Sequence, residues 1–326
     1  MSERNTTLGW GLIGPGRFAR EFATELSQVP DARLAVVASR DEARARDFAG
    51  EIGFERAVGS YDALMEDETV DVVYIVVPHV FHRDLAERAL EAGKAVVCEK
   101  PLTPTLRDTR SLINIARERE VFLMEAMKTG FLPAVRKARQ WIEEGAIGAI
   151  RLAKADFCFQ GSTDPEDRLM NPELGGGAVL DVGIYPIHFT RFLLGEVVEL
   201  HACGTTTATG VEDSAAILTK HESGAGSVMT CSFCTEEAMD ASVLGTEGEI
   251  RIPTFHKGNR VERWKDGECV DVFESPEAGM VRAEIEAAQV SIRAGRIECE
   301  GHSHEDSLRL AELMEEVRSQ VGIVPS

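Results

Sequence analysis

The chain has 326 residues, long enough for two domains with a sizeable core, and its 44% hydrophobic and 28% charged residues are typical of a soluble globular protein. Its formal net charge of −20 disfavours nucleic acid and anionic membranes as partners, because such a surface repels other polyanions. The apolar runs are shorter than the roughly 18 residues of a membrane-spanning helix, so none is expected.

The N-terminal segment 1–7 is short and polar and leads directly into an apolar run, which predicts that no signal peptide is present. The seven cysteines are an odd number and are dispersed in apolar stretches. Together these features predict reduced thiols and a cytoplasmic protein.

Residues 1–125 alternate between the periods of strands and helices. Apolar strands are predicted at 8–13, 32–38, 70–77, 95–98 and 121–125, with helices at 18–29, 41–52, 82–92 and 105–119. Fully apolar strands separated by helices predict an α/β Rossmann domain, a doubly wound parallel sheet covered on both faces. Ligands of such sheets bind beyond the carboxyl ends of the strands.

The regular alternation of predicted strands and helices ends after residue 125. A helix at 132–144, a strand at 147–159, a polar glycine-rich loop at 160–177 and a helix at 180–194 precede several strands between 199 and 273. Turn signals separate those strands, and helices at 276–294 and 303–321 close the chain. This order predicts a second α+β domain over 126–326 for substrate and oligomerisation, with a large, mostly antiparallel sheet and a C-terminal helix that can pack back on the first domain.

A glycine motif follows the first strand. Gly14, Gly16 and Ala19 match G-x-G-x-x-A, in which the first glycine allows the tight turn, the second admits the pyrophosphate and the small third residue lets helix and strand pack closely. The helix N-terminus, with Arg17 and Phe18, offers free N–H groups to the phosphates. The motif predicts a dinucleotide site.

Cofactor choice depends on the end of the second strand. An acidic residue there holds the ribose 2′-hydroxyl of NAD, whereas this chain has Ser39 and Arg40, which suit a 2′-phosphate. We therefore predict a preference for NADP, with NAD possible. The alternative is that Ser39 or Asp41 caps the next helix and Arg40 is solvated.

Three further motifs carry a family resemblance. Glu99-Lys100-Pro101 follows a short strand, Pro78 and His82 lie in Val-Pro-His-x-x-His, and Leu-Asp-Val-Gly-Ile-Tyr-Pro-Ile-His spans 180–188. In this order they resemble the glucose–fructose oxidoreductase/inositol dehydrogenase (Gfo/Idh/MocA) family over essentially the whole chain. Tyr185 and the segment 124–127 look like its dihydrodiol dehydrogenase and NADP-dependent xylose dehydrogenase branch, although that branch usually has Trp-Thr-Arg-Phe where this chain reads Lys-Thr-Gly-Phe at 128–131.

The resemblance implies hydride transfer between a nicotinamide and a sugar, cyclic polyol or dihydrodiol. It implies roles for the following residues: in catalysis Lys100, Tyr185 and Asp181; in substrate binding His188 and Lys128; in cofactor binding Pro78, His82, Glu99 and Lys100 beside the glycine motif, Ser39 and Arg40. It also implies a cis bond before Pro101 and a homodimer or a dimer of dimers.

The chemistry of alcohol oxidation fits these residue types. The hydroxyl proton needs an acceptor and the developing alkoxide needs a cation, for which Tyr185 and Lys100 are the candidates. A phenol ionises near pH ~10, so it requires a nearby cation to act near neutrality. Asp181 precedes Tyr185 by four residues and shares its helix face. The alternatives are a core tyrosine at 185, a helix-capping Asp181 and a buried, hydrogen-bonded His188.

Other interpretations stay open at this point. The enzyme could recycle a tightly held dinucleotide within one turnover, or the chain could be a non-catalytic dinucleotide sensor, which would need none of Lys100, Asp181 and Tyr185. A metal is not expected, because hydride transfer requires none. Cys231 and Cys234 lie three apart on one predicted strand, where they point to opposite faces, and His302 and His304 lack a third ligand.

Overall fold

A computed structural model of the protein describes residues 7–275 and 279–323. Its contacts divide the chain into two compact units. The first contains the residues up to Met127 together with Val281–Leu308, and the second contains Lys128–Met280 and the residues from Arg309 onward. This division assigns a segment from the last part of the chain to the first unit, whereas the sequence analysis divided the chain once, after residue 125.

The first unit contains a six-stranded parallel sheet with the strand order β3-β2-β1-β4-β5-β6. The strands are β1 (Leu8–Ile13), β2 (Ala32–Ala38), β3 (Arg56–Val58), β4 (Val72–Ile75), β5 (Ala95–Glu99) and β6 (Leu123–Ala126). The predicted doubly wound Rossmann sheet is confirmed. Strand β3 was missed because three residues are too few to show a hydrophobic period.

The helices of this unit follow their strands as predicted. They are α1 (Arg17–Leu26), α2 (Glu42–Ile52), α3 (Tyr61–Met65), α4 (His82–Glu91) and α5 (Leu106–Arg119). Side-chain caps fix several starts: Asp41 accepts from the backbone N–H groups of Ala43 and Arg44 at α2, and Thr105 accepts from Asp108 N at α5. The short helix α3 was not predicted.

The second unit contains a mixed nine-stranded sheet. Its strands are β7 (Ile150–Gln160), β8 (Val197–Thr206), β9 (Glu212–His221), β10 (Gly226–Ser232), β11 (Cys234–Ala238), β12 (Ala241–Gly245), β13 (Glu249–Ile252), β14 (Arg260–Lys265) and β15 (Glu268–Glu274). The order is β15-β14-β13-β12-β7-β10-β9-β8, with β11 paired to β7, and within the described part of this second sheet only the β7–β10 pair is parallel. The predicted, mostly antiparallel sheet is confirmed.

The Cys231/Cys234 pair lies on two strands rather than on one. Strand β10 ends at Ser232, and Cys234 begins β11. Cys231 is buried, whereas Cys234 is exposed, and both are free thiols.

Two helices of the second unit frame its site. Helix α6 (Pro133–Glu143) matches its prediction, whereas α7 (Ile184–Leu194) begins four residues later than predicted. A π-helical turn, Val179–Gly183, takes the place of the first predicted α-helical turn. Val179 N, at the start of this turn, donates to the Glu212 carboxylate of β9 at 3.2 Å.

Helices α8 (Arg282–Arg293) and α9 (His304–Val321) close the chain. Of the predicted helix 276–294, residues 276–278 lie outside the described residues. The start of α8 is fixed by Glu25 of α1, whose carboxylate accepts from the N–H groups of Val281 and Arg282 at 2.8 and 2.7 Å. Across residues 7–275 and 279–323, the structure contains no helix with the length and apolar character needed to cross a membrane.

Candidate active site

The glycine motif forms a tight turn between β1 and α1. Gly14 has φ +96°, and a Cβ there would lie 2.4 Å from the carbonyl oxygen of Val76, so only glycine fits. Gly16 precedes α1 without a side-chain cap, and a Cβ on it would meet nothing closer than 3.9 Å. A helix start without a side-chain cap, beside open space, fits the pyrophosphate of a dinucleotide. Arg17 is exposed and Phe18 half-buried at this start of the helix.

Polar side chains cluster at the end of β2. The Asp41 carboxylate caps α2, which is one of the two capping alternatives considered from the sequence, whereas the hydroxyl of Ser39 accepts from Asp41 N at 3.2 Å and does not cap the helix. Arg40 is exposed. Arg44, which the sequence analysis missed, donates from Nε to the carbonyl oxygen of Pro15 at 3.1 Å and lines a cleft of about 400 Å³ with Gly16 and Arg17.

The Glu99-Lys100-Pro101 turn follows β5. The peptide bond between Lys100 and Pro101 is cis, as the family pattern implied. Glu99 is buried and accepts from the Tyr74 hydroxyl at 2.6 Å and from Lys100 N at 3.3 Å. These contacts fix the backbone that carries Lys100, whose side chain is half-buried.

His82 supports the same turn from the start of α4. It is 0% exposed, and its Nδ1 and Nε2 each lie 2.9 Å from a carbonyl oxygen, of Pro101 and of Val77 respectively. Burial lowers its pKa. It therefore joins the loop that contains Pro78 to the loop after Lys100, which is a positioning contribution to the predicted cofactor site.

A second buried contact supports the Glu99-Lys100-Pro101 turn. The carboxylate of Glu125 accepts from Leu102 N at 2.8 Å and contacts His302 Nε2 at 3.0 Å. His304 Nε2 lies 3.0 Å from the carbonyl oxygen of Leu123. Both histidines thus contact β6. Among the described residues there is no group of three or more His, Cys, Asp or Glu side chains arranged to hold a metal.

In the second unit, the π turn carries Asp181. Its carboxylate accepts from both terminal nitrogens of Arg168, at 3.2 and 3.4 Å, and the carboxylate raises the pKa of the arginine. Arg168 lies in the polar loop 160–177, and Tyr185 also contributes to its raised pKa, so the three side chains lie close together. The sequence offered no signal for Arg168.

Tyr185 lies in the first turn of α7 and is 8% exposed. Its ring is 5.2 Å from that of Phe157, and Lys128 Nζ is 5.8 Å from its centroid. Lys128 is itself buried, at the start of the short 3₁₀ turn Lys128–Phe131. His188 is buried one turn further along α7, stacked 5.7 Å from Phe192.

His256 completes this group, although the sequence analysis did not single it out. It lies in the turn after β13, and its ring stacks on Phe157 at 4.3 Å and stands 6.4 Å from the Tyr185 ring. Burial first, and then the charges of Lys128 and Lys257, lower its pKa to about 3. The second unit therefore brings together a phenol, a neutral imidazole, a lysine and an Arg–Asp pair.

Comparison with known families assigns both halves of the chain. Residues 8–127 match an oxidoreductase family with an NAD-binding Rossmann fold, and residues 135–251 match the GFO/IDH/MocA C-terminal domain.

Individual relatives span nearly the full length. The chain is 34% identical to trans-1,2-dihydrobenzene-1,2-diol dehydrogenase of Danio rerio, covering 98% of both chains, and 30% identical to the scyllo-inositol 2-dehydrogenase (NADP(+)) IolU of Bacillus subtilis, covering 97% of both. Among solved structures, the 3-ketoreductase KijD10 of Actinomadura kijaniata, in complex with NADP and TDP-benzene, superimposes with a TM-score of 0.86 at 29% identity, over 96% of this chain and 98% of that one.

Proposed function

This chain is a member of the Gfo/Idh/MocA family of NAD(P)-binding oxidoreductases that act on CH–OH groups, and from that premise we propose that it is an NADP-preferring dehydrogenase of a sugar, cyclic polyol or dihydrodiol. The observation that carries the substrate side of this proposal is the grouping of Tyr185 with Lys128, Asp181 and Arg168 in the second unit.

The preference for NADP is supported by the end of β2. The only carboxylate in the segment 39–41 belongs to Asp41, which is engaged by the N–H groups of Ala43 and Arg44. The adenosine ribose of a cofactor bound there would lie near the guanidinium groups of Arg40 and Arg44. Such groups bind a 2′-phosphate well. The relative from Bacillus subtilis is named for NADP.

The proposed roles follow from the residue chemistry. The chemistry supplied by a bound nicotinamide is the acceptance of a hydride. Tyr185 takes the proton of the substrate hydroxyl, and the cation of Lys100 stabilises the alkoxide that develops. Asp181, held by Arg168, is a fixed negative charge beside Tyr185, and His188 and Lys128 contact other substrate hydroxyls.

We further propose that the protein acts in the cytoplasm as a homodimer or a dimer of dimers. The seven cysteines are free thiols, which suits a reducing compartment. Exposed Leu218 and Val228 are cross-strand partners on β9 and β10, so the sheet presents apolar side chains suited to a second copy. Light scattering on the eluted protein measures the mass, and a monomer at micromolar concentration would contradict this assembly.

The function is tested by absorbance at the reduced-nicotinamide band. The purified protein is mixed with NADP or NAD and with aldoses, inositols or trans-1,2-dihydrobenzene-1,2-diol, beside a Lys100→Ala variant and a Lys220→Ala control on the exposed face of β9. We expect NADPH to form with one substrate class, to be lost in Lys100→Ala and to be kept in Lys220→Ala.

Two results would count against the proposal. Substrate consumption without accumulation of reduced cofactor would favour recycling of a held dinucleotide. Tight binding of cofactor with no reaction of any alcohol would favour a sensor.

A further inference from the structure

Tyr74 is a phenol in a strand whose other side chains are aliphatic. It lies in β4, between β1 and β5 in the sheet of the first unit, and is 0% exposed. A phenylalanine would fit the hydrophobic pattern of such a strand equally well, and a buried hydroxyl lowers stability unless it is hydrogen-bonded. What the tyrosine adds to the protein is therefore the contact that its hydroxyl makes.

The hydroxyl of Tyr74 contacts the end of the neighbouring strand. It donates to Glu99 Oε1 at 2.6 Å, and the other oxygen of the same carboxylate accepts from Lys100 N at 3.3 Å. Glu99 is the last residue of β5 and is 8% exposed. Burial raises the pKa of Tyr74 well above its ordinary value, and the charge of Glu99 raises it further, so the phenol stays protonated and remains a donor.

A ring from the helix of the glycine motif restrains the phenol. Phe22 of α1 stacks on Tyr74, with the two ring centroids 3.5 Å apart and the ring planes 5° from parallel. The hydroxyl lies on the axis of the Cβ–Cγ bond, so rotation about that bond leaves it in place, and the stacking restricts the tilt of the ring. The donor that holds the Glu99 carboxylate is therefore itself fixed.

Lys100 depends on a fixed backbone more than a surface lysine does. In the proposed function its ammonium stabilises an alkoxide that develops only as the hydride leaves, so the stabilisation depends on where the ammonium lies at that moment. A displacement of about 1 Å can lower a rate by up to ~100-fold. Glu99 holds the backbone at Lys100 N, and His82 holds it at the Pro101 carbonyl oxygen, 2.9 Å from Nδ1.

Resting on the proposed function, we propose that Tyr74 is a positioning residue for Lys100. The phenol holds the Glu99 carboxylate, the carboxylate holds the backbone N–H of Lys100, and the lysine side chain reaches the reacting oxygen from a fixed point. Tyr74 is fully buried, so it acts through Glu99 rather than on the substrate. Loss of its hydroxyl should slow the reaction without weakening the binding of substrate or cofactor.

The test removes one oxygen atom. Tyr74→Phe keeps the ring that stacks on Phe22, and the control Tyr61→Phe makes the same change at a half-buried tyrosine of α3 in the same unit. Both are assayed with NADP and the alcohol that the wild-type protein oxidises. The kcat is expressed per cofactor-binding site, counted by fluorescence titration with NADPH, so that unfolded protein does not enter the comparison.

We expect the kcat of Tyr74→Phe to fall about tenfold, while the KM of the alcohol and the Kd of NADP stay within about twofold of wild type, because the lost interaction acts in the transition state. Tyr61→Phe should leave all three constants unchanged. In a Glu99→Ala background Tyr74 has lost the group through which it acts, so adding Tyr74→Phe should change kcat by less than about twofold.

A second measurement does not depend on catalysis. Hydrogen exchange resolved to single residues follows the Lys100 amide, which donates to Glu99, and uses the Val36 amide of β2 as the internal reference. In Tyr74→Phe the Lys100 amide should exchange about threefold to tenfold faster relative to Val36, because the carboxylate that accepts from it is no longer held.

Several outcomes would overturn the inference. They are an unchanged kcat per site in Tyr74→Phe, even if that variant is less stable, a change in KM alone, and a tenfold loss that persists in the Glu99→Ala background. If no alcohol is oxidised, the proposed function fails, and exchange at the Lys100 amide still decides whether the Tyr74 hydroxyl fixes this turn. Unchanged exchange there would overturn the positioning role as well.

Discussion

At the scale of single residues, the pairing of Asp181 with Arg168 defines what this carboxylate can do. The Asp181 carboxylate accepts from both terminal nitrogens of the Arg168 guanidinium, and this two-point contact fixes its position. Asp181 is therefore suited to a fixed orientation in the site. Arg168 acts through Asp181, so it is a positioning residue.

Replacing Arg168 with methionine tests that role. We expect kcat/KM to fall between about 10-fold and 100-fold, because the loss of the guanidinium lets the carboxylate move. The fall should appear mainly in kcat, since a displaced carboxylate disturbs the alignment of the reacting groups more than it weakens binding. Arg168→Lys should restore part of the rate, and an unchanged kcat in the methionine variant would contradict the positioning role.

Arg40 tests the cofactor preference at the same scale. In Arg40→Asp, the dissociation constant of NADP should rise about 10-fold to 100-fold, the value of one charge-assisted contact to a phosphate, while that of NAD changes little. Fluorescence titration with each cofactor measures both constants, and Arg107→Asp on the exposed face of α5 is the matched control. Equal losses for NADP and NAD would remove the assignment of Arg40 to the 2′-phosphate.

At the scale of elements, the π turn before α7 depends on one buried carboxylate. Glu212 is 0% exposed, accepts from Val179 N at 3.2 Å and lies 3.5 Å from Arg318 Nε. Burial raises its pKa. Gly177, with φ +123°, lies so close that a Cβ would be 2.5 Å from the carboxylate. The widened turn that carries Asp181 is thus held in place by contacts from β9.

Gly177→Ala tests the contact between this turn and Glu212. We expect it to lower the free energy of unfolding by about 1–3 kcal/mol more than Gly210→Ala, because both glycines have positive φ but only Gly177 faces a neighbouring atom. Chemical denaturation measures both variants. Activity should fall only in Gly177→Ala, and equal destabilisation in the two variants would show that backbone strain alone is responsible.

At the scale of the whole molecule, neutral histidines make the fold sensitive to acid. Burial is the main cause of the lowered pKa of His82, His221, His256 and His304, which are distributed over both units. Each takes up a proton on unfolding at a pH below about 6.5 while staying neutral in the folded protein, so the unfolded state binds more protons. The stabilising contribution of these neutral histidines is therefore fully present above about pH 6.5 and is lost as the pH falls below it.

His256 provides the measurable part of this effect. Because its folded pKa is about 3, its contribution is lost progressively between about pH 6.5 and 3 and amounts to about 2 kcal/mol by pH 5. Denaturation curves measured at pH 7.5 and pH 5 give the free energy of unfolding at each pH. Between these two values it should fall by less in His256→Phe than in the wild-type protein. Equal losses in both proteins would mean that this histidine is not neutral in the fold.

Local sequence determined the first unit and its glycine motif. The alternation of apolar strands with amphipathic helices predicted the doubly wound sheet, and β1 and β2 have the predicted bounds, because a strand buried on both faces must be apolar along its length. The requirement for glycine at Gly14 is likewise local, since the turn needs a positive φ. The motif around Lys100 predicted the family in the same way.

Only the tertiary structure decided the rest of the candidate site. His256, Arg168 and Glu212 lie in turns or at a strand end, where no hydrophobic period marks them, and each becomes significant through a partner that is distant in the chain: Phe157, Asp181 and the Val179 amide. The start of α7 changed for the same reason. Sequence patterns report the environment of a residue along its own helix or strand, whereas burial, charge pairing and the widening of a turn depend on which elements pack together.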